Sequence, residues 1–188
     1  MRKHIGTLHE GKICHKDQYD SPDSIITLLK ECAKRRDLYK GIEVHDNIIK
    51  SVLLKDNVFI KNTLVRMYAK CGTLQKAQEV FDNLPLHNVG SCNALIVGYV
   101  HEDRCDEAID CFESMQIEGV CPDVITFITV LKACGSIGAL YEGEKMHDEI
   151  MSRSLLENDI MLGSALVDMY AKCCANTKAR LALEELPV

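Results

Sequence analysis

The fold class this sequence predicts is all-α, a solenoid of stacked helical hairpins, and three observations predict it. The pentapeptide Met-Tyr-Ala-Lys-Cys stands at Met67–Cys71 and again, unchanged, at Met169–Cys173. Slid against itself by 102 positions, the chain matches at 24 of 65 residues between 22–86 and 124–188, without a gap. Self-similarity at a fixed period is the signature of a repeat architecture. All four prolines, Pro22, Pro85, Pro122 and Pro187, fall at the edges of the repeating units, where they cannot interrupt a helix. Apolar residues recur at helical spacing, and no window alternates with the period of a strand.

Composition fits that class. A chain of 188 residues, 47% hydrophobic, 27% charged and only 5% aromatic, has enough apolar surface for a helical core. No run approaches the roughly 18 to 20 apolar residues of a membrane span, so no membrane partner is expected. Met1-Arg2-Lys3-His4 is basic, but no apolar stretch follows to make a secretory signal. Ten cysteines are then read as reduced thiols rather than a disulfide framework.

The joints follow from the turn residues. Asp20-Ser21-Pro22, Lys55-Asp56-Asn57, Pro85-Leu86-His87-Asn88, Gly119-Val120-Cys121-Pro122-Asp123 and Glu157-Asn158-Asp159 each punctuate the chain. They mark a long unit at 22–57, a short one at 58–88 and a standard one at 89–123. A second long unit at 124–159 and an incomplete short unit at 160–188 follow. Residues 1–21 form an N-terminal extension, poorly ordered or partly helical. In 89–123 the spacing predicts helices over about Cys92–Val100 and Asp106–Glu118, split at Asp103-Arg104 and closed by Gly119 at C′. One hairpin cannot bury both faces alone, so neighbours stack into a right- or left-turning solenoid.

The phrases "NALIVGY", "DEAIDCFESMQIEGVCPDV", "VLKACGSIGALYEGEKMHDEI" and "ALVDMYAKC" closely resemble pentatricopeptide repeats. Units of unequal length resemble the land-plant subclass that mixes long, short and standard repeats. The resemblance implies a right-handed superhelical α-solenoid whose first helices line a groove for single-stranded organellar RNA. It also implies one base per unit, read by the fifth residue together with the last. Those pairs are Asn93 with Asp123 and Asn62 with Asn88, which the family's code reads as uracil and cytosine. Ser164, in the incomplete unit, goes with a purine. Ile26 with Asn57 and Ile128 with Asp159 cannot hydrogen-bond a base and are read as spacers. The second residue of each unit is implied to sandwich the bases, a role that suits Phe59, Ile125 and Met161 but not Gly90 or Asp23.

Other readings of the same residues stand beside these. Asn62 and Asn93 could be helix-start residues whose side chains satisfy free backbone amides. The Met67–Cys71 phrase reads as a recurring packing contact. Cys32/His45 and Cys134/His147 share one spacing, but without a Cys-x-x-Cys pair no zinc site is expected. No nucleophilic constellation and no phosphate loop accompany them, so neither a cofactor nor an enzyme is expected. The net charge of −6 runs against a phosphate-binding chain. It requires the acid to lie on the convex face, with Lys61, Arg66, Lys70, Arg104 and Lys172 nearer the groove. The resulting expectation is recognition of C-to-U editing sites in a mitochondrion or chloroplast, helped by editing-complex proteins or a deaminase supplied in trans. The alternatives are a protein-binding helical scaffold or a truncated, nonfunctional fragment.

Overall fold

The computed structural model describes residues 21–51 and 56–184, so the expectations for residues 1–20 and for the last four residues lie outside it. Ten α-helices follow one another: α1 (Pro22–Arg35), α2 (Leu38–Lys50), α3 (Val58–Lys70), α4 (Leu74–Asp82), α5 (Val89–His101), α6 (Cys105–Ile117), α7 (Val124–Ile137), α8 (Leu140–Ser152), α9 (Ile160–Lys172) and α10 (Asn176–Glu184). A 3-10 turn, Leu155–Asn158, joins α8 to α9. No strand occurs among the described residues.

Odd-numbered helices form one layer. Each packs against the next, α1 on α3, α3 on α5, α5 on α7 and α7 on α9. Every even-numbered helix packs on its own partner and, up to α8, on the odd helix that follows. The first helices are thus closely aligned while the second helices fan outward. That asymmetry curves the stack, with the first helices on the inside. A single apolar core runs through it from Ile25 to Ala182.

The odd helices share one device at their start. Ser21, Asn57, Asn88, Asp123 and Asp159 each accept a hydrogen bond from the backbone N–H three residues on. These side chains satisfy amides that the helix leaves without an internal partner. Asn88 and Asp123 close full capping boxes with Ser91 and Thr126. This explains why α5 begins at Val89, three residues before the apolar pattern predicts. The capping box sets the start, whereas the apolar stripe begins only where the helix first turns inward. Asp103 separates α5 from α6 with φ 56°, and Gly119 follows α6 with φ 76°, as the turn residues predict.

The repeated pentapeptide is a joint between hairpins. Met67 is fully buried, and a Cβ added to Gly41 would stand 2.5 Å from its sulfur. The pair recurs at Gly143 and Met169 with the same 2.5 Å approach. The Tyr68 hydroxyl meets His45 Nδ1 at 2.7 Å, and Tyr170 meets His147 Nδ1 at 2.9 Å. Cys71 and Cys173 direct their thiols at the carbonyls of Cys32 and Cys134, at 3.9 and 3.8 Å. The phrase recurs because one six-residue lock between adjacent hairpins recurs.

Burial holds the His45 imidazole below its ordinary pKa of 6.5, with Lys76 opposing a proton and Asp46 favouring one. The folded chain therefore resists a proton that the unfolded chain accepts. Its contribution to stability is full above 6.5 and declines as pH falls through the lower folded value. Urea midpoints measured from pH 7 down to about 5 should fall, and His45→Gln should flatten that slope. A second expectation concerns Cys174, which holds φ 59° where its counterpart Gly72 holds 74°. Side chains other than glycine are disfavoured there, so Cys174→Gly should gain up to about 1 kcal/mol in a thermal melt.

Candidate nucleic-acid interface

The inner layer exposes one stripe per helix. On α3 it comprises Phe59, Thr63, Arg66 and Lys70, spaced by four, three and four residues so that they share a face. The same offsets give Asp23, Thr27, Lys30 and Lys34 on α1, and Ile125, Thr129, Lys132 and Ser136 on α7. They give Gly90, Ala94, Val97 and His101 on α5, and Met161, Ala165, Asp168 and Lys172 on α9. Side by side, these stripes form columns running along the stack.

The first column is where base-sandwiching residues are expected. Phe59 is 75% exposed, Ile125 59% and Met161 69%. Large apolar side chains left in water at the same helix position on three of the five inner helices are out of place for a core and in place for a flat apolar ligand. Asp23 and Gly90 interrupt the column. In the second column the Thr27, Thr63 and Thr129 hydroxyls donate to carbonyls one turn back, at 2.9, 2.7 and 2.7 Å.

The remaining columns carry charge. The five first helices hold eight Lys or Arg against three Asp or Glu, a net of +5. The five second helices hold six against thirteen, a net of −7. The overall charge of −6 thus conceals two faces of opposite sign. Arg66, Lys70 and Lys172 lie on the exposed inner stripes, Lys172 pairing with Asp168 at 2.7 Å. Two cations expected there do not. Arg104 sits in the α5–α6 turn, bonded to Glu107 at 2.9 Å with its guanidinium over the Tyr99 ring. Lys61 is half-buried on the opposite side of α3, beside a cavity lined by His45, Glu79 and Asn83.

Neither Asn62 nor Asn93 starts a helix. Each is the fifth residue of its helix, one turn inside, and the caps are Asn57 and Asn88. Asn93 joins a closed cluster. Its Nδ2 donates to Asp123 Oδ1 at 3.0 Å, and its Oδ1 accepts from the Thr126 hydroxyl at 2.6 Å. Burial raises the Asp123 pKa, but bonds from the Thr126 amide and Asn93 Nδ2 outweigh it, so the carboxylate stays ionised below its usual range. Asn62 is more deeply buried than Asn93, and its Oδ1 has no hydrogen-bond partner among the described residues. Asn88 is exposed, its Oδ1 engaged by the Ser91 amide at 2.9 Å. Ser164 is exposed, and its hydroxyl proton goes to the Ile160 carbonyl at 2.8 Å, so only acceptor lone pairs remain for a ligand. Ile26 and Ile128 are half-buried against the core. Sequence reasoning missed Thr126, whose fully buried hydroxyl closes the cluster. A polar residue three after a capping Asp was the available signal.

Among the described residues no group of three or more His, Cys, Asp or Glu side chains is placed to hold a metal. The nine described cysteines are free thiols. Burial pushes the Cys92 thiol up to about 11 and those of Cys111 and Cys134 up to about 12, where a thiol is inert as a nucleophile.

Residues 59–89 match a model of the PPR repeat, and residues 87–136 match a PPR repeat family model. A pentatricopeptide repeat-containing protein of Arabidopsis thaliana is 39% identical over 165 residues, 88% of this chain and 24% of that protein. Two others from the same plant, one named as mitochondrial and one as chloroplastic, are 37% identical over 170 residues and 37% over 202. This chain spans 16% and 38% of their lengths. Among solved structures, pentatricopeptide repeat protein PPR10 from maize superposes with a TM-score of 0.64 at 24% identity, over 88% of this chain and 24% of that one. The same protein in complex with an 18-nt RNA element gives 0.68 at 18%, over the same shares. The repeat domain of Arabidopsis thaliana protein-only RNase P 1, in complex with tRNA, also gives 0.68, over 88% of this chain and 89% of that domain.

Asp123 serves its own helix as well as Asn93. Asp123→Ala should cost about 1–2 kcal/mol in urea unfolding, because the α7 cap and the Asn93 bond go together. Asp123→Asn, which keeps a capping oxygen, should cost less.

Proposed function

Because this chain carries pentatricopeptide repeats, we propose that it binds single-stranded RNA sequence-selectively along the inner face of its first helices. The carrying observation is that the stripe columns repeat at hairpin spacing. The first column offers apolar plates at Phe59, Ile125 and Met161 and the last two offer cations, beside a fifth-residue position that holds Asn93 in a defined polar cluster. Unstacked bases are recognised by contact on their faces and hydrogen bonds at their edges, which is what such a column offers. Lys30, Lys34, Arg66, Lys70 and Lys132, with no ion pair among the described residues, supply phosphate contacts. With the strand running 5′ to 3′ from the first unit to the last, Asn62 with Asn88 and Asn93 with Asp123 read a pyrimidine and then uracil. Ser164 meets a purine.

The unequal hairpins, with first helices starting at residues 22, 58, 89, 124 and 160, favour the subclass that mixes long, short and standard repeats. Its work is organellar RNA processing, here the marking of C-to-U editing sites in a mitochondrion or plastid. The chemistry is then left to a deaminase or to editing-complex proteins acting in trans. The relatives named for those organelles support that setting.

Filter binding of short single-stranded RNA pools tests the reading. Pools should enrich a pyrimidine-then-uracil step. Replacing Arg66 and Lys70 by Glu should weaken binding at least tenfold at low salt and lower the log–log salt slope by about 0.7 per lost phosphate contact. Binding that ignores sequence would defeat the proposal. Capture of proteins that survives ribonuclease would favour the scaffold instead.

A further inference from the structure

We propose that Thr126, the third residue of α7, positions the Asn93 amide and thereby fixes that unit's choice of uracil over cytosine. The inference rests on the RNA-binding reading above and deepens it. A side-chain amide carries an acceptor at one end and donors at the other, and it exchanges them by a half-turn unless its neighbours forbid it. At Asn93 both ends are held. The Thr126 hydroxyl gives its proton to Oδ1 at 2.6 Å, and Nδ2 gives one of its own to Asp123 Oδ1 at 3.0 Å. A half-turn would set Oδ1 against the carboxylate. It would also cost the 2.6 Å bond from the Thr126 hydroxyl, leaving that proton only Asp123 Oδ1, at 2.9 Å, as an acceptor.

Thr126 also holds the carboxylate, its backbone N–H lying 2.9 Å from Asp123 Oδ1. Its β-branch restricts rotation about χ1, so the hydroxyl stays aimed, and the residue is wholly buried. Of the amide's two donors, one N–H is left to offer a ligand. That hydrogen suits the O4 acceptor of uracil and opposes the N4 donors of cytosine.

The equivalent place one hairpin earlier lacks this arrangement. Ser91 is also third in its helix and also buried, but its hydroxyl donates to the Asn88 carbonyl at 3.0 Å and accepts from the Asn88 N–H at 3.2 Å. Asn88 Oδ1 is taken by the Ser91 amide. Neither reaches Asn62, whose Oδ1 has no partner. With neither end held, the Asn62 amide can present either end, so that unit accepts both pyrimidines.

Fluorescence anisotropy with the full chain and three A-rich 12-nucleotide RNAs, carrying a single CU, CC or UU step, tests this. The CU-to-CC ratio reports the Asn93 unit, and CU-to-UU reports the Asn62 unit. The unmodified chain should prefer CU over CC about tenfold, the scale of one oriented hydrogen bond. Thr126→Val should bring that preference below about threefold, while Thr126→Ser, which keeps the hydroxyl, retains most of it. The CU-to-UU ratio should stay near unity throughout, since Asn62 does not depend on Thr126. A merely structural role would weaken all three RNAs alike and leave both ratios unchanged. Thr126→Val with an unaltered CU-to-CC preference and a normal melt would overturn the role of Thr126 while leaving base reading in place. No preference in the unmodified chain would overturn base reading itself. Should the valine protein fail to fold, Thr126→Ala, which adds no bulk, gives the same decision.

Discussion

Each inner helix of this solenoid is started by the side chain that stands just before it. Ser21, Asn57, Asn88, Asp123 and Asp159 lie outside the helix they cap, and from Asn57 onward that residue ends the preceding hairpin. The capping oxygen must lie over the first turn, so it fixes where that turn begins and how the helix is rotated about its axis. Rotation in turn decides which residues reach the inner wall. The second, sixth, ninth and thirteenth positions come into line on successive helices because each helix is phased by the same device. A polar groove with a regular pitch is thus a consequence of a local backbone requirement. The second helices α4, α6 and α8, without a side-chain cap, are positioned by packing instead.

Packing between hairpins supplies the rest of the order. Gly41 and Gly143 let methionine sulfurs approach where any side chain would stand in the way. The neighbouring His–Tyr hydrogen bonds give the apolar contact a direction. Leu, Met and Cys fill the remaining space, adaptable in shape and well buried. Because the same lock closes two joints 102 residues apart, those joints hold nearly the same geometry. Between them the hydrogen-bond cluster at Asn93 and the open one at Asn62 are free to differ.

Charge is divided by layer rather than by segment. An average over the chain reads as acidic and unsuited to phosphate. The cations nevertheless gather on the helices that face inward, and the acids gather on those that face outward. The inner layer is therefore the face on which a polyanion would meet the less unfavourable field, and the outer layer the one that would repel it.

Much of the architecture was legible in the sequence. The 102-residue self-match, the turn clusters and the helical stripes determine an all-α repeat, since they depend on local backbone preferences and on periods visible along the chain. Asn93 and Asp123 could be paired on paper by resemblance. Their actual bond, and the hydroxyl of Thr126 that completes it, required three residues 30 and 33 positions apart in pairs to be brought within hydrogen-bond reach. The same holds for Lys61 and Arg104, which face away from the groove, and for Asn62, whose amide is buried but unheld. Sequence by itself determined which residues start helices and how often the pattern returns, because those are near-neighbour interactions. Only the tertiary structure decided which polar atoms meet and which cations face inward, because both depend on how one hairpin is rotated against the next.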